Sequence, residues 1–144
     1  MPALSSRIDV NSDAFKAAAE AMTAKLEEVR ALEDTVRGNS AAKKQKFDDR
    51  GQLLPRERVA RLIDRAAPFL EISALAGLKM HDDDGARGAS GGGMVVGVGQ
   101  VSGKRCVVSA SDSAIKGGTI APMGLKKSLR AQEIAFENKL PMIH

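Results

Sequence analysis

A chain of 144 residues fits one domain and is too short for two of ordinary size; folded, it hides roughly two-thirds of its unfolded surface. Its 22 Lys and Arg against 18 Asp and Glu leave a formal charge of +4, mildly basic and well short of a nucleic-acid protein's bias. With no Trp, no Tyr and only 4 Phe there are few rings on which to stack bases, and the single cysteine, Cys106, excludes an internal disulfide framework and a four-thiolate zinc site. A lone thiol fits a reducing compartment. No run approaches the roughly 18 apolar residues of a membrane span, and residues 1–12 lack the apolar core of a secretory signal. The expectation is a soluble cytoplasmic chain with no membrane or nucleic-acid partner.

Residues 13–36 read as a long amphipathic helix. Asn11, Ser12 and Asp13 supply cap candidates, and Phe15, Ala19, Met22, Leu26, Val29 and Val36 recur mostly at three- and four-residue steps. Gly38-Asn39 is the expected stop. Residues 41–51 are charged and end in a glycine, as a helix end or a loop would. Pro55 then opens a short helix over 55–64 with Val59, Leu62 and Ile63 on its apolar side. Its arginines, Arg56, Arg58, Arg61 and Arg65, read as a solvated face with Glu57 and Asp64 as local partners.

Residues 68–80 suggest a short strand or buried turn, and 81–93 are the clearest loop. Two Val-bearing strands follow, 94–101 and 105–110, joined by Ser102-Gly103-Lys104, which is the pattern of a hairpin. Gly97 and Gly99 inside the first strand imply bulges or close backbone approach. A polar loop, residues 111–118, leads to a helix over 124–138 with Leu125, Leu129 and Phe136 among its apolar residues. Lys139-Leu140-Pro141 ends it, and Met142-Ile143-His144 begins a further strand.

Most chemical motifs fail on their spacing. Gly97-x-Gly99 lacks a third glycine at 102 and runs into a strand rather than a helix, which excludes a dinucleotide fingerprint. His81-Asp82-Asp83-Asp84 lacks the ligand spacing of a calcium loop, so no metal is expected. The two histidines, His81 and His144, have no visible nucleophile partner, and Cys106 reads as a small buried hydrophobe in its strand. One segment fits anion chemistry. A strand feeds the paired glycines Gly117-Gly118, and the helix that follows carries Lys126, Lys127 and Arg130. Glycines let backbone N–H groups approach a ligand, and aimed N–H groups are what a developing oxyanion needs.

The wording of these segments resembles a known family. The run Gly51-Gln52-Leu53-Leu54-Pro55-Arg56-Glu57-Arg58, then Leu62-Ile63-Asp64 and Pro68-Phe69-Leu70-Glu71, is similar to the opening of carboxyltransferase β subunits of biotin-dependent acyl-CoA carboxylases. So are Gly91-Gly92-Gly93 with the strand after it, and Ser111-Asp112-Ser113-Ala114-Ile115-Lys116-Gly117-Gly118-Thr119 with Pro122-Met123-Gly124-Leu125-Lys126-Lys127. Leu129 to Ala135 and Glu137 to Pro141 continue the resemblance, which covers nearly the whole chain. Ala89-Ser90 stands where the family usually has a proline. Within the family the chain looks most like the methylcrotonyl-CoA and geranyl-CoA carboxylase branch, with features of both.

The resemblance implies an α/β chain: the N-terminal portion of a crotonase-like fold of ββα units, preceded by the long amphipathic helix. Residues 1–40 would form an N-terminal helical segment and 41–144 the first part of the carboxyltransferase domain. It implies transfer of CO2 from carboxybiotin to an acyl-CoA, a 3-methyl-branched 2-enoyl thioester in this branch, through a thioester enolate held by backbone N–H groups. Gly117 and Gly118 would carry the catalytic contact, and Ala114, Lys116, Lys126, Lys127 and Arg130 would bind substrate. Biotin would ride on a partner α subunit with the biotin carboxylase chemistry, and other β subunits would complete a homo-oligomer. Family members run several hundred residues further, so the chain is expected to be inactive alone and to self-associate or need a complementary piece. The competing readings are a truncated, non-catalytic paralogue with a structural role in assembly, and a general phosphate binder using Arg56, Arg58, Lys126 and Lys127.

Overall fold

A computed structural model of the chain describes residues 6–80, 90–113 and 115–144. The expectations placed on His81, Asp82, Asp83, Asp84, Gly85, Gly88 and Ala114 lie outside the described residues. Two compact units are distinguished, Met1–Asp34 and Thr35–His144.

Helix α1 (Asp13–Ala41) begins where the sequence places it, in the first unit, and its last residues belong to the second. The Ser12 hydroxyl accepts the Phe15 N–H at 3.3 Å, which satisfies one of the free donors of the first turn. The apolar residues at helical spacing are exposed within the first unit: Met22 is 62% accessible, and Phe15, Leu26, Val29 and Leu32 are also open. The helix does not stop at Gly38-Asn39. It runs on to Ala41, because the Gly38 carbonyl still accepts the Ala42 N–H at 2.9 Å and a glycine inside a helix only weakens it.

The second unit is a four-stranded sheet with a helix on each side. Its strands are β1 (Leu70–Glu71), β2 (Met94–Val101), β3 (Lys104–Ser111) and β4 (Met142–Ile143), ordered β1-β2-β3-β4. β1 with β2 and β2 with β3 are antiparallel; β3 with β4 is parallel. The parallel pair needs a crossover, and α4 (Pro122–Glu137) supplies it. The second unit thus contains one ββα unit, β2-β3-α4, followed by a strand returning beside β3. The short α2 (Lys44–Asp48) and α3 (Pro55–Leu62) precede the sheet.

Alternation along the hairpin divides the core in two. Val95, Cys106, Val108 and Ala110 point toward α3 and pack with Val59, Ile63 and Phe69. Met94, Val96 and Val107 point the other way and pack with Ala131 and Ala135 of α4. The hairpin register is unbroken from Met94 opposite Ser111 to Val101 opposite Lys104, so the glycines of β2 mark close approach and not bulges. A Cβ at Gly97 would lie 2.6 Å from the Leu70 carbonyl oxygen and run into the Phe69 ring; one at Gly99 would lie 3.2 Å from that ring.

Two expectations change, and α4 packs through its small residues. The helix opened by Pro55 ends at Leu62, since Ile63 turns extended and Asp64 is drawn to the hairpin tip. There the Asp64 carboxylate accepts the N–H groups of Ser102 and Gly103, both at 2.7 Å. The arginines of α3 are not a uniformly solvated face, since Arg56 reaches across to Glu71 and Arg58 donates to the Ser111 carbonyl. The large apolar residues of α4 are not its packed side. Leu125, Leu129 and Phe136 are exposed, Phe136 at 87%, while Gly124, Lys127, Ala131 and Ala135 are buried. Small residues let the helix lie close to the sheet, which sets its rotational phase.

Candidate functional site

The expected site residues lie on the loop after β3 and on α4. The loop leaves β3 at Ser111 and closes in a 3-10 turn, Lys116–Gly118, with Gly117 at φ 68° and Gly118 at φ 87°. Both angles lie in the left-handed region that a glycine enters without a Cβ penalty. The Gly118 N–H donates to the Ile115 carbonyl at 2.8 Å, and the Ile115 N–H to the Asp112 carbonyl at 3.1 Å. Gly118 therefore closes the turn, while the side of Gly117 on which a Cβ would stand is open. Both glycines are exposed.

The cations expected to hold substrate divide sharply. Lys126 is exposed on the second turn of α4. Arg130 is exposed and pairs with Glu133 at 3.0 Å. Lys127 is only 3% accessible, and its ammonium donates to the carbonyls of Gly91 (3.0 Å) and Met94 (2.9 Å). Burial pushes its pKa down to about 8, against the attraction of Glu71 and with the repulsion of Arg56. Lys127 thus leaves the solvent-facing set to which its sequence neighbour Lys126 belongs. The four cations of a general phosphate site are likewise not gathered: Arg56 is held by Glu71, Arg58 by Ser111 and Lys127 by the two carbonyls.

A polar group behind this loop has no signal in the local sequence pattern. Arg56 donates to Glu71 through both terminal nitrogens, at 2.7 and 2.8 Å. Burial favours the neutral Glu71 carboxyl, but the hydrogen bonds and charge of Arg56 outweigh it and hold the pKa below the usual range. The Ser40 hydroxyl donates to Asp112 Oδ2 at 3.1 Å, and Asp112 is 4% accessible. Ser40, Arg56, Glu71, Gly91, Asp112 and Ile115 line one cleft. The Asp112 N–H donates to the Gly93 carbonyl at 2.9 Å, which joins the loop after β3 to the glycine turn before β2. Cys106 is buried in the core as expected. Among the described residues no cluster of three or more His, Cys, Asp or Glu could hold a metal, and no helix is long and apolar enough to cross a membrane.

Comparison with known proteins places this arrangement. The chain is 50% identical over 107 residues to the biotin-dependent 3-methylcrotonyl-coenzyme A carboxylase beta1 subunit of Mycobacterium tuberculosis, covering 74% of this chain and 19% of that one. It is 42% identical over 142 residues to the probable mitochondrial methylcrotonoyl-CoA carboxylase beta chain of Drosophila melanogaster, covering 98% of this chain and 24% of the other. The structure superposes on the crystal structure of the P. aeruginosa geranyl-CoA carboxylase beta subunit with a TM-score of 0.85 at 54% identity, over 98% of this chain and 26% of that one. The transcarboxylase 12S crystal structure shares the fold, with a TM-score of 0.70 at 21% identity over 84% of this chain and 24% of that one. The chain spans about a fifth to a quarter of the length of these curated relatives. Residues 46–144 match the carboxyl transferase domain, and the chain belongs to that family, among the β subunits of biotin-dependent acyl-CoA carboxylases.

Proposed function

We propose that this chain forms part of the carboxyltransferase component of a biotin-dependent acyl-CoA carboxylase, within a crotonase-like fold of ββα units. The observation that carries the reading is its likeness to the geranyl-CoA carboxylase beta subunit over 98% of its length. The substrate class follows the names of its relatives: an acyl-CoA that is a 3-methyl-branched 2-enoyl thioester. In this reading residues 1–40 are an N-terminal helical segment, and 41–144 open the carboxyltransferase domain. The partners are an α subunit carrying biotin and further β subunits, in a cytoplasmic setting that the single buried thiol suits.

Carboxybiotin, brought by the α subunit, supplies the CO2. The residues of this chain bind and polarise the thioester. When the acyl chain gives up a proton, which the biotin left by loss of CO2 would accept, the electron pair moves through the conjugated system onto the thioester oxygen, and the backbone N–H of Gly117 donates to it. As the carbon end of the enolate attacks CO2, the thioester carbonyl re-forms. Because Gly118 donates to Ile115 within the turn, the approach to the thioester falls to Gly117. Ala114 and Lys116 belong to the same loop, and the exposed Lys126 and Arg130 suit the phosphates of CoA. Lys127, also part of the expected binding set, serves from behind the loop.

The test is carboxylation of methylcrotonyl-CoA and geranyl-CoA by the complete assembly containing this chain. A Gly117→Val variant is expected to lose at least about tenfold in kcat, because a β-branched residue resists the positive φ and shifts the turn. Unchanged kinetics with both thioesters would remove the turn from the site. The exposed apolar residues of α1 support a second role, in assembly, which pull-down of a complete β subunit by this chain would show.

A further inference from the structure

The buried ammonium of Lys127 has no place in the substrate contacts proposed above, yet it holds the glycine turn before β2, to which the loop after β3 is joined. Gly91, Gly92 and Gly93 all stand at positive φ, 81°, 66° and 71°. Three such residues in succession make a left-handed turn that directs carbonyls away from the usual helical partners. Two carbonyls at this turn, those of Gly91 and Met94, converge on Lys127 Nζ. Gly92 rests directly on α4, and a Cβ there would lie 3.1 Å from the Gly124 Cα. The turn is thus fixed by backbone contact on one side and by the ammonium on the other. From it a continuous relay runs to the site. Gly93 accepts from the Asp112 N–H, Asp112 accepts from the Ile115 N–H, and Ile115 accepts from the Gly118 N–H.

We propose that Lys127 is a positioning residue, whose ammonium holds the glycine turn before β2 and, through that relay, sets the position of the Gly117-Gly118 turn. The proposal rests on the reading of that turn as part of the acyl-CoA site. Arg56 and Glu71, the charged residues that face Lys127 from α3 and β1, pair with each other through the Arg56 terminal nitrogens, and the Ser40 hydroxyl donates to the Asp112 carboxylate rather than to the carbonyls of the turn.

The experiment uses the complete carboxyltransferase carrying this chain. Lys127→Met keeps the length of the side chain and removes its donors. Deuterium uptake over residues 91–95 and 112–118 is expected to quicken at least about tenfold, while residues 104–110 in the neighbouring strand keep their protection. In the same preparation kcat is expected to fall, with KM for the acyl-CoA within about twofold of the parent. Faster exchange at 112–118 with unchanged turnover supports the positioning link and overturns instead the role given to the Gly117-Gly118 turn. Unchanged exchange at 112–118 overturns the proposal, whatever turnover does. So does an equal rise across 104–110, which marks general loss of stability. If Lys127→Met does not accumulate folded, Lys127→Leu, which also removes the donors, is read in the same way.

Discussion

Lys126 and Lys127 are adjacent and chemically identical, and the structure gives them opposite environments. The difference is one step of about 100° around a helix, so only the phase of α4 against the sheet decides which is buried. That phase was written in the sequence as a stripe of small residues, Gly124, Ala131 and Ala135, in register with Lys127. Burial has a measurable consequence for Lys127. Its pKa lies near 8 in the folded chain and at the ordinary 10.5 when unfolded. Between those values the unfolded chain binds more protons, so this residue makes stability rise with pH across that window, by about 3 kcal/mol at most. The contribution is absent below pH 8 and complete above 10.5. The difference in unfolding free energy between the parent chain and Lys127→Met, measured in urea at pH 7 and again near pH 10.5, should therefore move in the parent's favour. A difference that does not change with pH would mean that Lys127 titrates as an exposed lysine. Glu71 works in the same sense in an acid window: its depressed pKa makes the contribution of its pair with Arg56 present at neutral pH and lost as acid protonates it.

Among the elements, the hairpin was the most legible because several local signals agree. Valines alternate, Ser102-Gly103 takes the left-handed angles of a tight turn, and the glycines of β2 announce the passage of Phe69. The Arg56–Glu71 pair was not legible, because the two residues lie 15 apart on different elements and meet only once α3 packs on the sheet. The Gly117-Gly118 turn was visible from its composition, but its internal hydrogen bond, which commits Gly118, was not. The end of α4 is a case in which a local rule is broken. Lys139 stands at φ 53°, where helices usually place glycine. Around it the Lys139 N–H reaches the Phe136 carbonyl at 3.2 Å and the Leu140 N–H reaches Ala135 at 2.8 Å, the two bonds of a Schellman motif. A non-glycine residue there costs about 1 kcal/mol in conformational strain. Lys139→Gly is expected to relieve most of it, less the entropy that a glycine adds to the unfolded chain, for a net gain near 0.5 kcal/mol. Urea unfolding of the two proteins should show a higher midpoint at the same slope for the variant; a lower midpoint would mean that the strain is not there.

For the molecule as a whole, the question is what the outward surface of the second unit can tolerate in water. The sheet buries both its faces, one under α3 and one under α4, so its interior is complete as a three-layer sandwich. Yet α4 turns Leu125, Leu129 and Phe136 outward along one side, and Ile120 just before it is 62% accessible. Single exposed apolar side chains are ordinary; a row of them along a helix is a surface that seeks cover. The chain alone is therefore expected to sediment as more than a monomer at micromolar concentration. A variant carrying Leu125→Glu, Leu129→Glu and Phe136→Glu should shift toward the monomer, with its unfolding midpoint little changed, since none of the three belongs to either core. A parent chain that sediments as a single monomer, or a triple variant that associates as before, would show that this face of α4 does not drive association.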